Sequence, residues 1–84
     1  MSRKTDNLDF RIGCNLKKMR EYSKLTQTEI GYILNVSAQQ VAKYETGKNR
    51  VSASNLYRLS SYYNKDMNYF LRITTEELED WYKN

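Results

Sequence analysis

Residues 25–47 read LTQTEIGYILNVSAQQVAKYETG, and the reading of this stretch decides the fold. Thr26 and Glu29 form a capping-box pattern, in which each side chain bonds a free backbone N–H at a helix start. Ile30 and Leu34, four apart, then lie on one helix face. Leu34-Asn35-Val36 reads as a tight turn, because asparagine is one of the few non-glycine residues that tolerates a left-handed backbone. Ser37 and Gln40 repeat the capping-box pattern and open another helix. Val41 and Tyr44 fall on its inner side, and Gly47 stands just beyond as a terminator. The spacing predicts two short helices joined by a turn.

On the N-terminal side, Ile12, Leu16 and Met19 make an apolar stripe on a helix from Asp9 to about Ser23, with Phe10 beside it. Asp6 or Asn7 can cap its start. Cys14, in the same helical pattern, reads as a small, partly buried apolar residue. On the C-terminal side, a fourth helix is expected from about Ser52 to Tyr63, with Leu56 and Leu59 inward. A short fifth follows from about Asp66 to Leu71, and Thr74 with Glu77 marks one more start, running from Thr75 to about Lys83. Proline is absent and only three glycines occur, which favours helices with short connections. The expected fold is all-α: a flexible arm at 1–8, a compact five-helix domain at 9–71 and a short helical extension at 72–84.

Composition narrows the chemistry. The 84 residues make one small domain with a small core. Residues 1–50 carry ten Lys/Arg against five Asp/Glu, and residues 51–84 carry four against five, for a net charge of +4. A basic half points to a polyanion partner, or simply to a solvated surface. The chain has no histidine and one cysteine. An internal disulfide, a zinc site and a Ser-His or Cys-His catalytic pair are therefore out of reach. The adjacent carboxylates Glu76 and Glu77 diverge around a helix and suit its dipole better than catalysis. No metal, no cofactor and no enzymatic activity are expected. Without a long apolar run or a signal-peptide region, a cytoplasmic protein with no membrane partner is expected.

The segment Ile12–Leu71 resembles the DNA-binding domain of Cro and phage-repressor (XRE-like) helix-turn-helix regulators. The residues that carry the likeness are Ile12, Leu16, Met19 and Arg20, then Leu25-Thr26-Gln27, Glu29 and Ile30, then Val36-Ser37, Val41, Tyr44-Glu45 and Gly47. Gly31 stands where the family usually has Ala, Asn35 where it usually has Gly, and a Pro often found near Ser52 is missing. The resemblance implies double-stranded DNA as partner, with the helix at 37–46 in the major groove. Its exposed N-terminal part is Ser37-Ala38-Gln39-Gln40, with Lys43 one turn after Gln39. Gln39 is the best base reader, since an amide pairs bidentately with adenine. Lys43 can meet guanine or a phosphate, and Ala38 a thymine methyl or nothing. Gln40 can meet a base or serve the cap. Gln27, Ser37, Lys48, Asn49 and Arg50 are the expected phosphate contacts. The resemblance also implies an ion pair of Arg20 with Glu45, read as structural. Arg3 and Lys4 are read as a disordered terminus, with a DNA-reaching arm as the alternative.

Seven aromatics lie after residue 56. This half is not basic, so base stacking fits poorly, while some core packing (Phe70 among it) and a protein interface fit better. Regulators of this kind bind as dimers on two-fold symmetric operators, and Tyr69, Phe70, Leu78 and Trp81 are the expected dimer contacts. The expected function is a homodimeric, sequence-specific transcription regulator, in the manner of a repressor or an autoregulatory controller protein. An RNA polymerase contact, through Glu29 or another acidic residue, belongs to that reading. An antitoxin or another protein-binding module, with a toxin as partner, is the alternative.

Overall fold

The computed structural model describes residues 7–72. Residues 1–6 and 73–84 lie outside the described residues, and with them fall Arg3, Lys4, Leu78, Trp81 and the expected helix at 75–83. The described chain is five helices in order: α1 (Asn7–Tyr22), α2 (Gln27–Leu34), α3 (Ala38–Glu45), α4 (Ala53–Tyr63) and α5 (Tyr69–Arg72). No strand occurs among the described residues. The fold is the expected all-α one.

Local chemistry sets most boundaries. At α2 the capping box is complete: the Glu29 N–H donates to Thr26 Oγ1 (3.0 Å), and the Thr26 N–H donates to Glu29 Oε1 (2.8 Å). Asn35 ends α2 in the left-handed conformation, with φ at 61°. Ser37 Oγ accepts from the Gln40 N–H (3.0 Å) at the start of α3. The fourth helix lacks the proline but has a cap of its own, Ser52 Oγ accepting from the Asn55 N–H (3.1 Å). Asn64, again left-handed at φ 57°, closes it.

Two boundaries differ from the expectation. Helix α1 already includes Asn7 and Leu8, so Asn7 is a helical residue rather than the cap, and Asp9 falls in the first turn, where a negative charge suits the dipole. Helix α5 begins only at Tyr69. Asp66 Oδ1 accepts from the Asn68 N–H (2.9 Å), so an Asx turn occupies the stretch that reads as the first helical turn.

The core comprises Leu16 and Met19 of α1, Ile30 and Leu34 of α2, Val41 and Tyr44 of α3, Leu59 of α4 and Phe70 of α5. Burying a large apolar side chain of this kind contributes about 1.5–3 kcal/mol. Phe70 is 0% exposed. The sequence reads it both as core and as a dimer contact, and the structure corrects the second: its ring is spent inside its own domain. Helix α1 holds it there. Asn15 Nδ2 donates to the Phe70 carbonyl (2.6 Å), and Arg11 Nη1 donates to the Leu71 carbonyl (3.0 Å). The buried Tyr44 hydroxyl accepts from Asn55 Nδ2 (3.1 Å), which ties α3 to α4.

Two glycines allow close helix approach. A Cβ on Gly13 would run into the Tyr44 carbonyl, so α1 and α3 touch backbone to backbone there. A Cβ on Gly31 would lie 2.5 Å from the Val36 carbonyl. The turn thus sits closer to α2 than an alanine allows, and the small residue does more here than tolerate a neighbour.

Candidate nucleic-acid interface

Helix α3 has two unlike faces. Val41, Tyr44 and Glu45 point inward and are buried. Gln39 and Lys43, one turn apart, are exposed, while Ala38, Gln40 and Ala42 flank them half-buried. The side chains of Gln39, Lys43 and Lys48 make no hydrogen bond or ion pair among the described residues. The outer face therefore carries an amide and an ammonium free to meet another molecule. Both are groups that pair with base edges in a major groove.

The inner face fixes where that outer face points. Arg20 Nε donates to Glu45 Oε2 at 2.6 Å and Arg20 Nη2 to Glu45 Oε1 at 3.1 Å, a two-pronged contact between α1 and the end of α3. The side chains are 13% and 3% exposed. The carboxylate's hydrogen bonds hold the Arg20 guanidinium above its ordinary pKa, over a burial that pulls the other way. Arg20 Nη1 also donates to the Leu25 carbonyl (3.0 Å), anchoring the link into α2. Gln27 Nε2 joins from the first turn of α2, donating to Glu45 Oε1 (3.1 Å). These residues line a cleft of about 500 Å³ that Lys17 also borders.

The other candidate phosphate contacts are mostly engaged within the chain. Ser37 is the α3 cap. Arg50 Nε pairs with Asp9 Oδ2 at 3.0 Å, with Arg50 still 83% exposed. A pair so exposed is worth about 0–1 kcal/mol and exchanges readily for a phosphate. Asn49 Nδ2 donates to Gln40 Oε1 (3.2 Å). The structure thus brings Arg20, Glu45 and Gln27 together at one junction and Gln40 with Asn49 at another. Lys48 projects from the loop after α3. Tyr69 is half-buried, edge-on to Phe70 with Lys65 Nζ above its ring.

Sequence reasoning missed Asp9 as the partner of Arg50 and Asn49 as the partner of Gln40. Asp9 lies 41 residues from Arg50, and no periodicity links them. For Gln40 the repeated capping-box pattern pointed the other way. Among the described residues no group of His, Cys, Asp or Glu is placed to hold a metal ion. No helix of the described residues is long and apolar enough to cross a membrane.

Residues 16–70 match the family model described as helix-turn-helix. An uncharacterised HTH-type transcriptional regulator of Sinorhizobium fredii is 34% identical over 76 residues, which span 90% of this chain and 53% of that protein. An uncharacterised transcriptional regulator in the ATPase CF(0) region of Rhodospirillum rubrum is 33% identical over 69 residues, 82% of this chain and 64% of that one. The chain spans about half the length of the first of these relatives. The crystal structure of a transcriptional regulator from Listeria innocua shares the fold, with a TM-score of 0.69 at 23% identity over 83% of this chain and 70% of that one. With the capped α2–turn–α3 unit, its exposed amide and lysine, and these likenesses together, the chain belongs to the Cro and phage-repressor (XRE) type helix-turn-helix family of DNA-binding transcription regulators.

Proposed function

We propose that this chain acts as a homodimeric, sequence-specific regulator that represses by occupying a promoter, its own among the candidates. The observation that carries the reading is the division of α3: Gln39 and Lys43 stand free on the outside while Val41, Tyr44 and Glu45 are fixed on the inside. A helix must be held rigidly for a donor or acceptor on it to tell one base edge from another. Gln39 takes adenine, and Lys43 takes guanine or the adjoining phosphate. Ala38 approaches a thymine methyl. Lys48 and Arg50 meet the sugar–phosphate backbone, Arg50 on leaving Asp9. Gln27 and Ser37 flank the same surface as further backbone contacts. Arg20 and Glu45 act through α3 by setting its angle. The protein works by occupancy, in the cytoplasm, and needs no cofactor.

Two-fold symmetric recognition sets two copies of α3 about 34 Å apart, one turn of DNA. Tyr69 with Leu78 and Trp81 of the 72–84 extension is the proposed contact between copies, Phe70 being committed to the core. Sedimentation of the chain cut after Leu71 tests this: the cut chain is expected to run as a monomer, and an unchanged dimer excludes the extension from the contact.

The function itself is tested by titrating the chain against DNA from just upstream of its own gene and against random DNA, at physiological salt. A preference of about 10³-fold or more is expected. Equal, weak binding to both overturns the reading and turns attention to a protein partner.

A further inference from the structure

The start of α3 repeats the residue pattern at the start of α2 but uses it differently. In α2 the Glu29 side chain returns to the cap residue's N–H. In α3 the cap hydroxyl is in place, yet the Gln40 side chain does not return to Ser37; its Oε1 accepts from Asn49 Nδ2 instead. Asn49 is delivered there by the backbone. The chain turns at Gly47 (φ 78°), and the N–H groups of Lys48 and Asn49 both donate to the Lys43 carbonyl, at 3.0 and 3.3 Å. The loop after α3 is thereby folded back along the helix, and the Asn49 amide lies beside Gln40, nine residues earlier.

We propose that Asn49 is a positioning residue that makes Gln40 a reader of guanine. The inference rests on the reading of α3 as the base-reading helix. An unconstrained glutamine amide offers an acceptor and a donor side by side, the pattern that pairs with adenine. With Oε1 engaged by Asn49, Gln40 offers outward chiefly the two N–H donors of Nε2. In the major groove guanine presents two acceptors, O6 and N7, whereas adenine presents one acceptor and one donor. Gln39, whose amide has no partner among the described residues, keeps both its groups for adenine. The two adjacent glutamines therefore read different bases, and the difference lies in a residue outside the helix.

Selection of bound sequences from a randomised double-stranded DNA library tests this, followed by relative affinities for the selected site with guanine or adenine at each position. The variants are Asn49→Ala, Asn49→Asp, Gln40→Ala and the double variant Gln40→Ala with Asn49→Ala. One guanine position of the wild-type site is expected to lose its guanine-over-adenine preference by about three- to tenfold in Asn49→Ala, the worth of one hydrogen bond. Asn49→Asp can only accept, so it turns the Gln40 amide over and moves that position toward adenine or cytosine. In Gln40→Ala the preference is already gone, and adding Asn49→Ala changes it no further. An equal loss for all sequences in Asn49→Ala, with base preference intact, makes Asn49 a backbone contact and overturns this proposal alone. A wild-type preference for adenine or cytosine at the position that Gln40→Ala relaxes overturns it as well. A wild-type chain that enriches no sequence overturns the base-reading role of α3 and this proposal with it.

Discussion

The two faces of α3 spend their polar groups in opposite ways. On the inner face Tyr44 and Glu45 are buried, and each has its partner: Asn55 for the hydroxyl, Arg20 and Gln27 for the carboxylate. On the outer face Gln39 and Lys43 are exposed and pair with nothing among the described residues. The inner face supplies geometry and the outer face supplies chemistry. The residues that matter most to recognition are therefore expected to matter least to stability, and the reverse.

The largest effect is expected at the junction of α1 and α3. Arg20→Ala leaves the Glu45 carboxylate buried without its cation, at a cost of about 3–5 kcal/mol. Each kcal/mol lowers the melting temperature by roughly 4–8 °C in a domain of this size. Lys43→Ala should stay within about 0.5 kcal/mol of the parent, and thermal unfolding giving equal values for the two would erase the contrast between faces. Next comes Gly13→Ala. The new methyl meets the Tyr44 backbone, which cannot step aside as a flexible side chain would, and a loss of about 1–3 kcal/mol is expected in urea unfolding. A stabilised variant, reflecting alanine's helix propensity alone, would mean that α1 and α3 are less tightly docked than described.

On the outer face the same measurements should barely move while binding does. Gln39→Ala is expected to lose about 1–3 kcal/mol of discrimination at one base pair with its melting temperature unchanged. For Lys43→Ala the salt dependence decides its partner: a phosphate contact lowers the log–log slope by roughly 0.9, and a purely base-directed one leaves random-sequence binding untouched.

The smallest effect concerns a seam away from both faces. Tyr63 of α4 shares a hydrogen bond with Ser23 Oγ (2.8 Å), and burial raises its pKa above the usual 10.0, outweighing that bond. The folded chain then holds the phenolic proton more tightly than the unfolded one. This stabilisation is complete below pH 10 and is lost as pH rises through the raised value. Tyr63→Phe should flatten the alkaline fall in stability, and an identical pH profile would show that folding leaves the phenol's affinity for its proton unchanged.

The α2–turn–α3 unit was legible in the sequence because its signals are local. Thr26 with Glu29, Asn35 and Ser37 each act within a few residues of themselves, so a pattern suffices. The candidate base-facing residues followed from helical spacing once that unit was placed. What escaped was what tertiary packing decides. Phe70 reads from the sequence both as core and as a dimer contact, because an apolar ring near the end of a helical stretch suits either until α1 is seen to grip its carbonyl through Asn15. Gln40 showed the limit of a local rule, since its pattern matched a capping box and its side chain went to the loop. Asp9 with Arg50 joins the two ends of the basic half, where sequence spacing says nothing.

The grip of Arg11 and Asn15 on the Leu71 and Phe70 carbonyls has a consequence for how the protein is made. Contacts between residues 55 to 60 positions apart close the core. A growing chain completes the recognition unit 23 residues before Phe70 is added, and Leu16 and Met19 lack one of their core partners until then. Closing so long a loop comes before its contacts return anything, which places this step late in folding. The helix-turn-helix is readable in 23 residues of sequence, but its core is complete only when the first helix captures the fifth.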